Sequence, residues 1–356
     1  MRDRSWKFAA TGTAACAVLG FCLTASLADV IRLAPGSTVK ATGNQIQGQI
    51  ASETATEVKI KPTVGAEQTV PVDQIDSVSY DGATPSFTLA ESRVNAGLVS
   101  EAADLFQKAA SEAQGKPLIE RAAQFGRAQA LTELALIDPS KAADAISALE
   151  ALSKPGANTR QLGPALLLLI RLQLAQGNTD GAEAALADLT SRVPWAADRV
   201  AVLRAKLLSR KGEHAAALSA LDGLISSAPK GSVQAREALL AKAESLAATQ
   251  KFTEAEAVVR QVIEESPPED DLVQAQAYNT LGDCLRVAGR PKDALLAYLR
   301  TDVLYNSAKD EHAKALAKII ELWRELKQDA RATEVLERLK SQYPQSPYLR
   351  AKAAPG

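Results

Sequence analysis

Hydrophobic and polar residues alternate with a period of two between residues 30 and 80. Such alternation is typical of short β-strands that turn one face toward a core. The apolar positions on that face are Ile46, Ile50, Val58, Ile60, Val70, Val72, Ile75, Val78 and Tyr80. Turn-forming pairs such as Pro35-Gly36 and Gly43-Asn44 separate the runs. We therefore predict five short strands that curl into a barrel or pack on a neighbour, because so small a sheet cannot cover both its faces alone.

This β segment resembles small SH3-like or Sm-like barrels. The resemblance rests on Gly48 in the second predicted strand and on the run Val-Pro-Val-Asp-Gln-Ile at residues 70–75, which precedes the last strand. Lys59 and Lys61 alternate on one strand and indicate a solvated face. The segment lacks the clustered basic and aromatic residues that an RNA-binding loop would need.

After Thr84 the apolar spacing changes to three and four residues, which predicts amphipathic helices. A regular pattern of residues, which we call the repeat frame, recurs through this part, with an alanine near the start of every second helix of a pair. These alanines are Ala102, Ala142, Ala182, Ala217, Ala255, Ala294 and Ala332. Ala142 fits the frame if its unit carries an insertion around residues 136–139. A larger side chain usually follows four positions later, and prolines at 194, 229, 267 and 344 end four of the units.

The first helix of each unit has its own marks. A small residue stands twelve positions before the alanine in four units, at Ala90, Ala205, Ala243 and Gly282, and Gly126 takes that role in the inserted unit. A glycine lies between the helices at Gly97, Gly177, Gly212 and Gly289. Small residues let antiparallel helices approach, and bulky ones fill the seam. Two units depart at the small position, with Ile170 and Ile320, and two depart at the turn, with Gln250 and Lys327.

This frame resembles the tetratricopeptide repeat (TPR), and its closest copy runs from Tyr278 through Gly282, Gly289 and Ala294 to Tyr298. The resemblance implies a mainly α fold, a TPR-type α-α superhelix preceded by a small all-β, barrel-like domain. We predict four parts: a signal peptide at 1–28, the β module at 29–82, about seven TPR-like helical hairpins at 83–346, and a disordered tail at 347–356.

The N-terminus has the pattern of an export signal. Arg2, Arg4 and Lys7 form a basic region before an apolar stretch, and Ser26 and Ala28 provide a small-x-small cleavage site. Polar and glycine interruptions make the stretch a poor permanent span. An uncleaved N-terminal membrane anchor is the alternative. Cleavage predicts a periplasmic, cell-envelope or secreted protein with no membrane span.

The composition excludes several classes of function. The chain has 41 Lys and Arg against 42 Asp and Glu, and this balance argues against a nucleic-acid binder. His214 and His312 are the two histidines, and neither has a nucleophile or carboxylate at a useful spacing, so both are expected at the surface. Removal of the signal leaves Cys284 as the one cysteine, expected to be a small buried residue. We therefore predict no enzyme activity, no cofactor and no metal.

The remaining candidate site is the groove of the superhelix. In TPR proteins the residue just after the small first-helix position commonly points into the groove. The matching residues here are Glu91, Arg127, Arg171, Lys206, Glu244, Asp283 and Glu321. The series is basic in its middle and acidic toward the C-terminus, which suits an extended peptide of mixed charge. Ordinary solvated helix surface is the alternative interpretation.

Together these features predict an exported, non-catalytic scaffold or adaptor of the bacterial cell envelope that binds proteins or peptides along the groove. The alternative is a glycan- or peptidoglycan-associated protein that binds through the β module. That alternative would need exposed aromatic residues there, and Tyr80 is the module's one aromatic. The sequence leaves the partner, the biological process and the oligomeric state open.

Overall fold

The computed structural model describes residues 28–344 and 346–350; the predicted signal peptide falls almost wholly outside them. Five antiparallel strands form one sheet in the order β4-β3-β2-β1-β5. Their bounds are β1 Asp29–Leu33, β2 Gln45–Glu53, β3 Glu57–Pro62, β4 Gln68–Pro71 and β5 Ile75–Ser79, with a 3₁₀ turn at Val72–Gln74 between the last two. The alternating residues lie inside as predicted, since Ile46, Ile50, Val58, Ile60 and Val70 are all buried.

Gly48 has a packing role in the sheet. It pairs with Pro62 on β3, and a Cβ at Gly48 would lie 2.2 Å from the carbonyl oxygen of Lys61. The absence of a side chain therefore permits the close approach of β2 to β3. The recorded pairings leave β4 and β5 as the two edges of the sheet.

Fourteen helices follow in seven antiparallel hairpins, so the predicted mainly α fold of TPR-like hairpins is confirmed. The first helices are α1 Pro85–Asn95, α3 Pro117–Ile137, α5 Leu162–Ala175, α7 Ala197–Arg210, α9 Val233–Ala248, α11 Asp271–Val287 and α13 Lys309–Glu325. The second helices are α2 Val99–Glu112, α4 Ala142–Ser153, α6 Thr179–Arg192, α8 His214–Ser227, α10 Phe252–Glu265, α12 Pro291–Leu304 and α14 Asp329–Gln342. A short helical turn, α15, follows at Pro347–Arg350.

The repeat frame read from the sequence matches the packing. All seven frame alanines are buried, with exposures between 0% and 8%. The inserted unit is visible as α3, which has 21 residues and is followed by a 3₁₀ turn at Pro139–Lys141. Gly282 lies directly against the ring of Tyr298, which is fully buried. The small residue and the bulky residue of this unit thus meet in the seam between α11 and α12.

The β module is docked on the helices through both apolar and polar contacts. Its core is continuous with that of the first hairpin, where Phe87 and Phe106 pack edge to face at 5.6 Å. Trp195, in the 3₁₀ turn that precedes α7, donates its indole N–H to the carbonyl of Ala55 at 2.8 Å. The amide of Ala55 donates to Asn158 Oδ1 at 2.9 Å. The second and third hairpins therefore hold the module as well as the first.

A buried polar cluster completes this junction. Tyr80 donates its hydroxyl hydrogen to Glu53 Oε1 at 2.8 Å, and Arg160 from the α4–α5 loop donates to the Tyr80 hydroxyl at 3.1 Å. Arg160 Nε lies 3.4 Å from Glu53 Oε1, and the Glu53 side chain is fully buried. Burial is the largest influence on the pKa of Tyr80, which is raised well above its usual range.

Two expectations from the sequence need correction. His312 is buried, because its Nδ1 meets the Tyr343 hydroxyl at 2.7 Å and its Nε2 meets Asp302 Oδ1 at 2.9 Å. The pairing of these polar groups across α12, α13 and the end of α14 was not visible in residue spacing. Residues 347–350, assigned to a disordered tail, form the helical turn α15 because Tyr348 and Leu349 pack on the core of the last hairpins.

No helix within the described residues has the length and apolar character needed to cross a membrane.

Gln250 and Lys327 occupy the position where other units have the turn glycine, and this allows a prediction about stability. Gln250 and Lys327 have φ of 62° and 58°, so they keep the left-handed conformation that Gly212 has at 81°. The closing hydrogen bonds are also shared, since Lys251 N donates to Leu246 O as Glu213 N donates to Leu208 O. A side chain in this conformation costs about 1 kcal/mol. We expect Gln250→Gly to raise the free energy of unfolding in urea by about 0.5–1 kcal/mol. Gly212→Ala, the matched control, should lower it, and equal signs for the two variants would contradict the prediction.

Candidate functional site

One cleft of about 430 Å³ is lined only by first helices, those of the third to seventh hairpins. Because first helices alternate with second helices along the chain, this lining identifies the inner face of the array. The apolar floor and the polar rim of the cleft consist of Leu167, Arg199, Val202, Leu203, Lys206, Glu237, Leu240, Glu244, Gln276, Thr280, Glu311 and Lys314. We call this surface the inner cleft.

Two neighbouring walls of the inner cleft carry opposite charge. Arg199 and Lys206 lie seven residues apart on α7, and Glu237 and Glu244 lie seven residues apart on α9. Seven residues are two helical turns, so each pair occupies one face of its helix. All four side chains are exposed, and no hydrogen-bond or ion-pair partner for them is found within the described residues. The walls therefore present charged groups that form no direct hydrogen bond or ion pair within the described residues.

The α11–α13 end of the cleft is more firmly organised. Lys314 Nζ lies 3.3 Å from Asp283 Oδ2, and Asp283 Oδ1 accepts the Tyr298 hydroxyl hydrogen at 2.7 Å. Asn279 Nδ2 donates to Glu311 Oε2 at 2.7 Å. Burial alone would lower the pKa of Lys314, but the carboxylates of Asp283 and Glu311 outweigh it and raise that pKa. Lys314 is consequently a fixed positive charge at this end.

The seven groove residues predicted from the sequence each lie on the first helix of a different hairpin. Two of them, Lys206 and Glu244, line the inner cleft. Asp283 forms an ion pair with Lys314, which lines the inner cleft. Arg171 pairs with Glu133 on α3 at 3.2 Å. The remaining three are Glu91 on α1, Arg127 on α3 and Glu321 on α13, which pairs with Arg286. Burial raises the pKa of Glu91. The structure does not bring all seven into one cavity.

Sequence reasoning missed several residues of the inner cleft. Arg199, Glu237 and Lys314 each lie seven positions before a predicted groove residue, on the same helix face. Extending the predicted series by two turns toward each helix N-terminus would have found them. Glu311 had no such signal, because its orientation depends on Asn279 of the neighbouring helix.

Cys284 lies beneath the cleft, on α11. It is 4% exposed, and its Sγ lies 3.8 Å from the carbonyl oxygen of Ala243. Burial raises the pKa of its thiol to about 12, with a smaller contribution from Glu244 and Asp283. The expected small buried residue is confirmed.

This environment makes the thiol inert, because the thiolate is the reactive form. In the protein without residues 1–28, where Cys284 is the one cysteine, we expect the thiol to resist an aromatic disulfide reagent at pH 8 in the native state and to react fully in 6 M guanidinium. The ratio of the two labelling rates, followed by absorbance, measures the effect. Labelling at the rate of a free thiol in the native state would contradict it.

The other candidate chemistries find little support among the described residues. No three His, Cys, Asp or Glu side chains there lie close enough together to hold a metal ion. Tyr80, the one aromatic residue of the β module, is 7% exposed and bound to Glu53. The module therefore offers no exposed aromatic ring for stacking on a sugar.

Comparison with known proteins agrees with the fold. One model described as tetratricopeptide repeat matches residues 167–232, 202–270 and 240–310, and a second model of that description matches 314–346. No curated protein sequence matches the chain.

Three solved structures illustrate the likeness. PilW, a widely conserved type IV pilus biogenesis factor, is 17% identical with a TM-score of 0.40, over 64% of this chain and 98% of its own. A tetratricopeptide repeat protein from Parabacteroides merdae is 16% identical with a TM-score of 0.45, over 74% and 96%. Rap protein, solved with competence and sporulation factor, is 12% identical with a TM-score of 0.47, over 73% and 76%. Residues 167–310 and 314–346 carry tetratricopeptide repeats, and a five-stranded β module precedes them in the chain.

Proposed function

We propose that this protein is a non-catalytic adaptor that binds an extended protein segment of mixed charge in the inner cleft. The observation that carries the proposal is the pair of oppositely charged, unpartnered walls on α7 and α9. Charged groups that lack an internal partner gain most when a complementary ligand supplies one. The apolar floor between them, with Leu203 and Leu240, adds area that a ligand side chain can cover.

The spacing of the walls defines the ligand further. Packed helices lie about 10 Å apart, and an extended chain rises about 3.3 Å per residue. An acidic side chain that faces Arg199 or Lys206 should therefore stand about three residues from a basic side chain that faces Glu237 or Glu244. An apolar residue between them would contact the floor. We propose this acidic–apolar–basic segment as the ligand class.

We propose a non-catalytic role because neither histidine offers a free imidazole to the inner cleft. Both ring nitrogens of His312 are engaged, by Tyr343 and by Asp302, inside the core. His214 is on α8, a second helix, where its Nδ1 meets the Ser209 hydroxyl at 3.1 Å. Neither imidazole lines the inner cleft, which supports binding as its role.

We further propose that the protein is exported to the cell envelope after removal of residues 1–28. The basic residues Arg2, Arg4 and Lys7, the apolar stretch and the small residues before Asp29 support this. Fractionation of a bacterial host with an outer membrane, followed by N-terminal sequencing, tests it. A start at Asp29 in the periplasmic fraction is expected, and an intact Arg2 start would contradict cleavage.

Binding in the cleft is tested by site-specific photo-crosslinking in the cell. A photoreactive residue replaces Leu203 or Leu240 in the inner cleft, and Leu296, an exposed residue on α12, serves as the matched control position. We expect a discrete crosslinked species from the two cleft positions that the control position does not give. Equal crosslinking from all three positions, or none from the cleft, would overturn the proposed function.

A further inference from the structure

The C-terminal segment does not leave the array but returns across its inner face. Ser346 is buried, its amide donates to Tyr343 O at 2.8 Å, and Leu349 N donates to Ser346 O at 3.1 Å. These bonds turn the chain sharply after α14, where Tyr343 has already left helical geometry. The turn α15 then lies against α13 and also against α3, the first helix of the second hairpin.

This contact joins the last hairpin to the second one. Tyr348 and Leu349 are partly buried on the core of the last hairpins. Glu311 and Lys314 on α13 and Arg171 on α5 are near enough to act electrostatically on the Tyr348 hydroxyl. Burial raises the pKa of the Tyr348 hydroxyl, Lys314 and Arg171 oppose this, and Glu311 adds to it. An exposed, unattached tail would not be placed among groups so distant in sequence.

Two of these neighbours belong to the inner cleft. Glu311 and Lys314 line it, and Arg171 is the predicted groove residue of the third hairpin. Because α15 packs against α13, the segment and a ligand at the α13 end would lie beside the same side chains. A second occupant there has to displace the first.

We infer that residues Ser346–Arg350 are an intramolecular strap that closes the α13 end of the inner cleft and competes with its ligand. This inference rests on the proposed function only for the identity of the ligand with which the strap competes. The strap and the surface of α3 and α13 on which it packs both belong to this chain. A tethered segment acts at an effective concentration that reaches the millimolar range, so even a weak contact is well occupied. Ligand binding at this end then carries the cost of opening, which lowers the apparent affinity by the fraction of open protein.

The test uses the full chain and a synthetic peptide of residues 344–356 as the probe. The strap variant Tyr348→Ser/Leu349→Ser loses the two apolar side chains that hold the strap on the last hairpins. The control Leu296→Ser/Leu304→Ser changes two exposed residues of α12 in a similar way. Binding of the labelled peptide is followed by fluorescence anisotropy. We expect the strap variant to bind it at least about tenfold more tightly than wild type or the control do, because the surface on which the strap packs is no longer occupied.

Equal peptide affinity for wild type and strap variant would overturn the strap, and so would failure of the strap variant to bind at millimolar peptide. An unchanged far-ultraviolet circular dichroism spectrum of the strap variant shows that the array remains folded. Failure of the strap leaves the crosslinking result at Leu203 and Leu240 unaffected. Failure of the proposed function leaves the peptide result unaffected, so the two outcomes are distinguishable.

Discussion

Arg160→Ala is expected to lower the free energy of unfolding of the β module by about 3 kcal/mol, because it leaves the fully buried carboxylate of Glu53 without its cation. Removal of one partner from a buried ion pair costs more than the pair contributes, since the remaining charge cannot regain its water. Tyr80 would still donate one hydrogen bond to Glu53, but a neutral hydroxyl does not replace a guanidinium. The loss is measured by urea unfolding of the protein without residues 1–28, followed by the fluorescence of Trp195 at the junction. Removal of residues 1–28 takes away Trp6, and Phe substitution of Trp323 removes the competing signal from α13.

The matched control is Lys59→Ala, which removes a surface partner from the same sheet. Lys59 and Glu57 form a 3.7 Å pair, and both side chains are at least 40% exposed. Exposed pairs contribute about 0.2–1 kcal/mol. A loss of less than about 1 kcal/mol in both variants would show that Arg160 does not hold Glu53 at the junction.

Gly282→Ala is expected to lower the free energy of unfolding by about 1–2 kcal/mol, although alanine is the better helix former. The new Cβ would lie 2.6 Å from the ring of Tyr298, closer than real contacts allow. The ring cannot move aside, because it is fully buried and its hydroxyl is bound to Asp283. Overpacking of this kind costs about 1–3 kcal/mol, against a propensity gain of about 1 kcal/mol.

Gly223→Ala provides the opposite case on α8. A Cβ at Gly223 would meet nothing within 4 Å, so only the gain in helix propensity remains. We expect this variant to be more stable than wild type by up to about 1 kcal/mol in the same urea titration. Stabilisation by both substitutions would contradict the close seam between α11 and α12.

The fold was largely predictable because it repeats. Local rules place the strands and the helices, and the frame alanines recur often enough to reveal the hairpins even where Ile170 or Gln250 breaks the pattern. The turn at Gln250 keeps the left-handed backbone and the closing hydrogen bond that the turn at Gly212 has, so a change of residue there leaves the hairpin intact.

The site was predictable only in part. Lys206 and Glu244 were found because they follow the small first-helix residue, and Arg199 and Glu237 were missed although they share the same faces. The junction of Glu53, Tyr80 and Arg160 joins residues that lie far apart in the chain, and no periodicity marks such contacts. The contact of α15 with α3 depends on how the second to seventh hairpins stack, which the sequence of one hairpin does not contain.

We propose that the charged walls of the inner cleft select its ligand. The most direct test measures the affinity of a cleft-binding peptide, chosen from a displayed library, for Arg199→Glu/Lys206→Glu and for the control Lys292→Glu/Arg300→Glu on α12. Both doubles make the same change in net charge. We predict that the cleft double weakens binding by about 10- to 100-fold, about 1.4–2.8 kcal/mol, and that a peptide with its acidic residues changed to lysine restores it. The control double should bind as wild type does. Equal losses in both doubles, or no rescue by the basic peptide, would contradict the account.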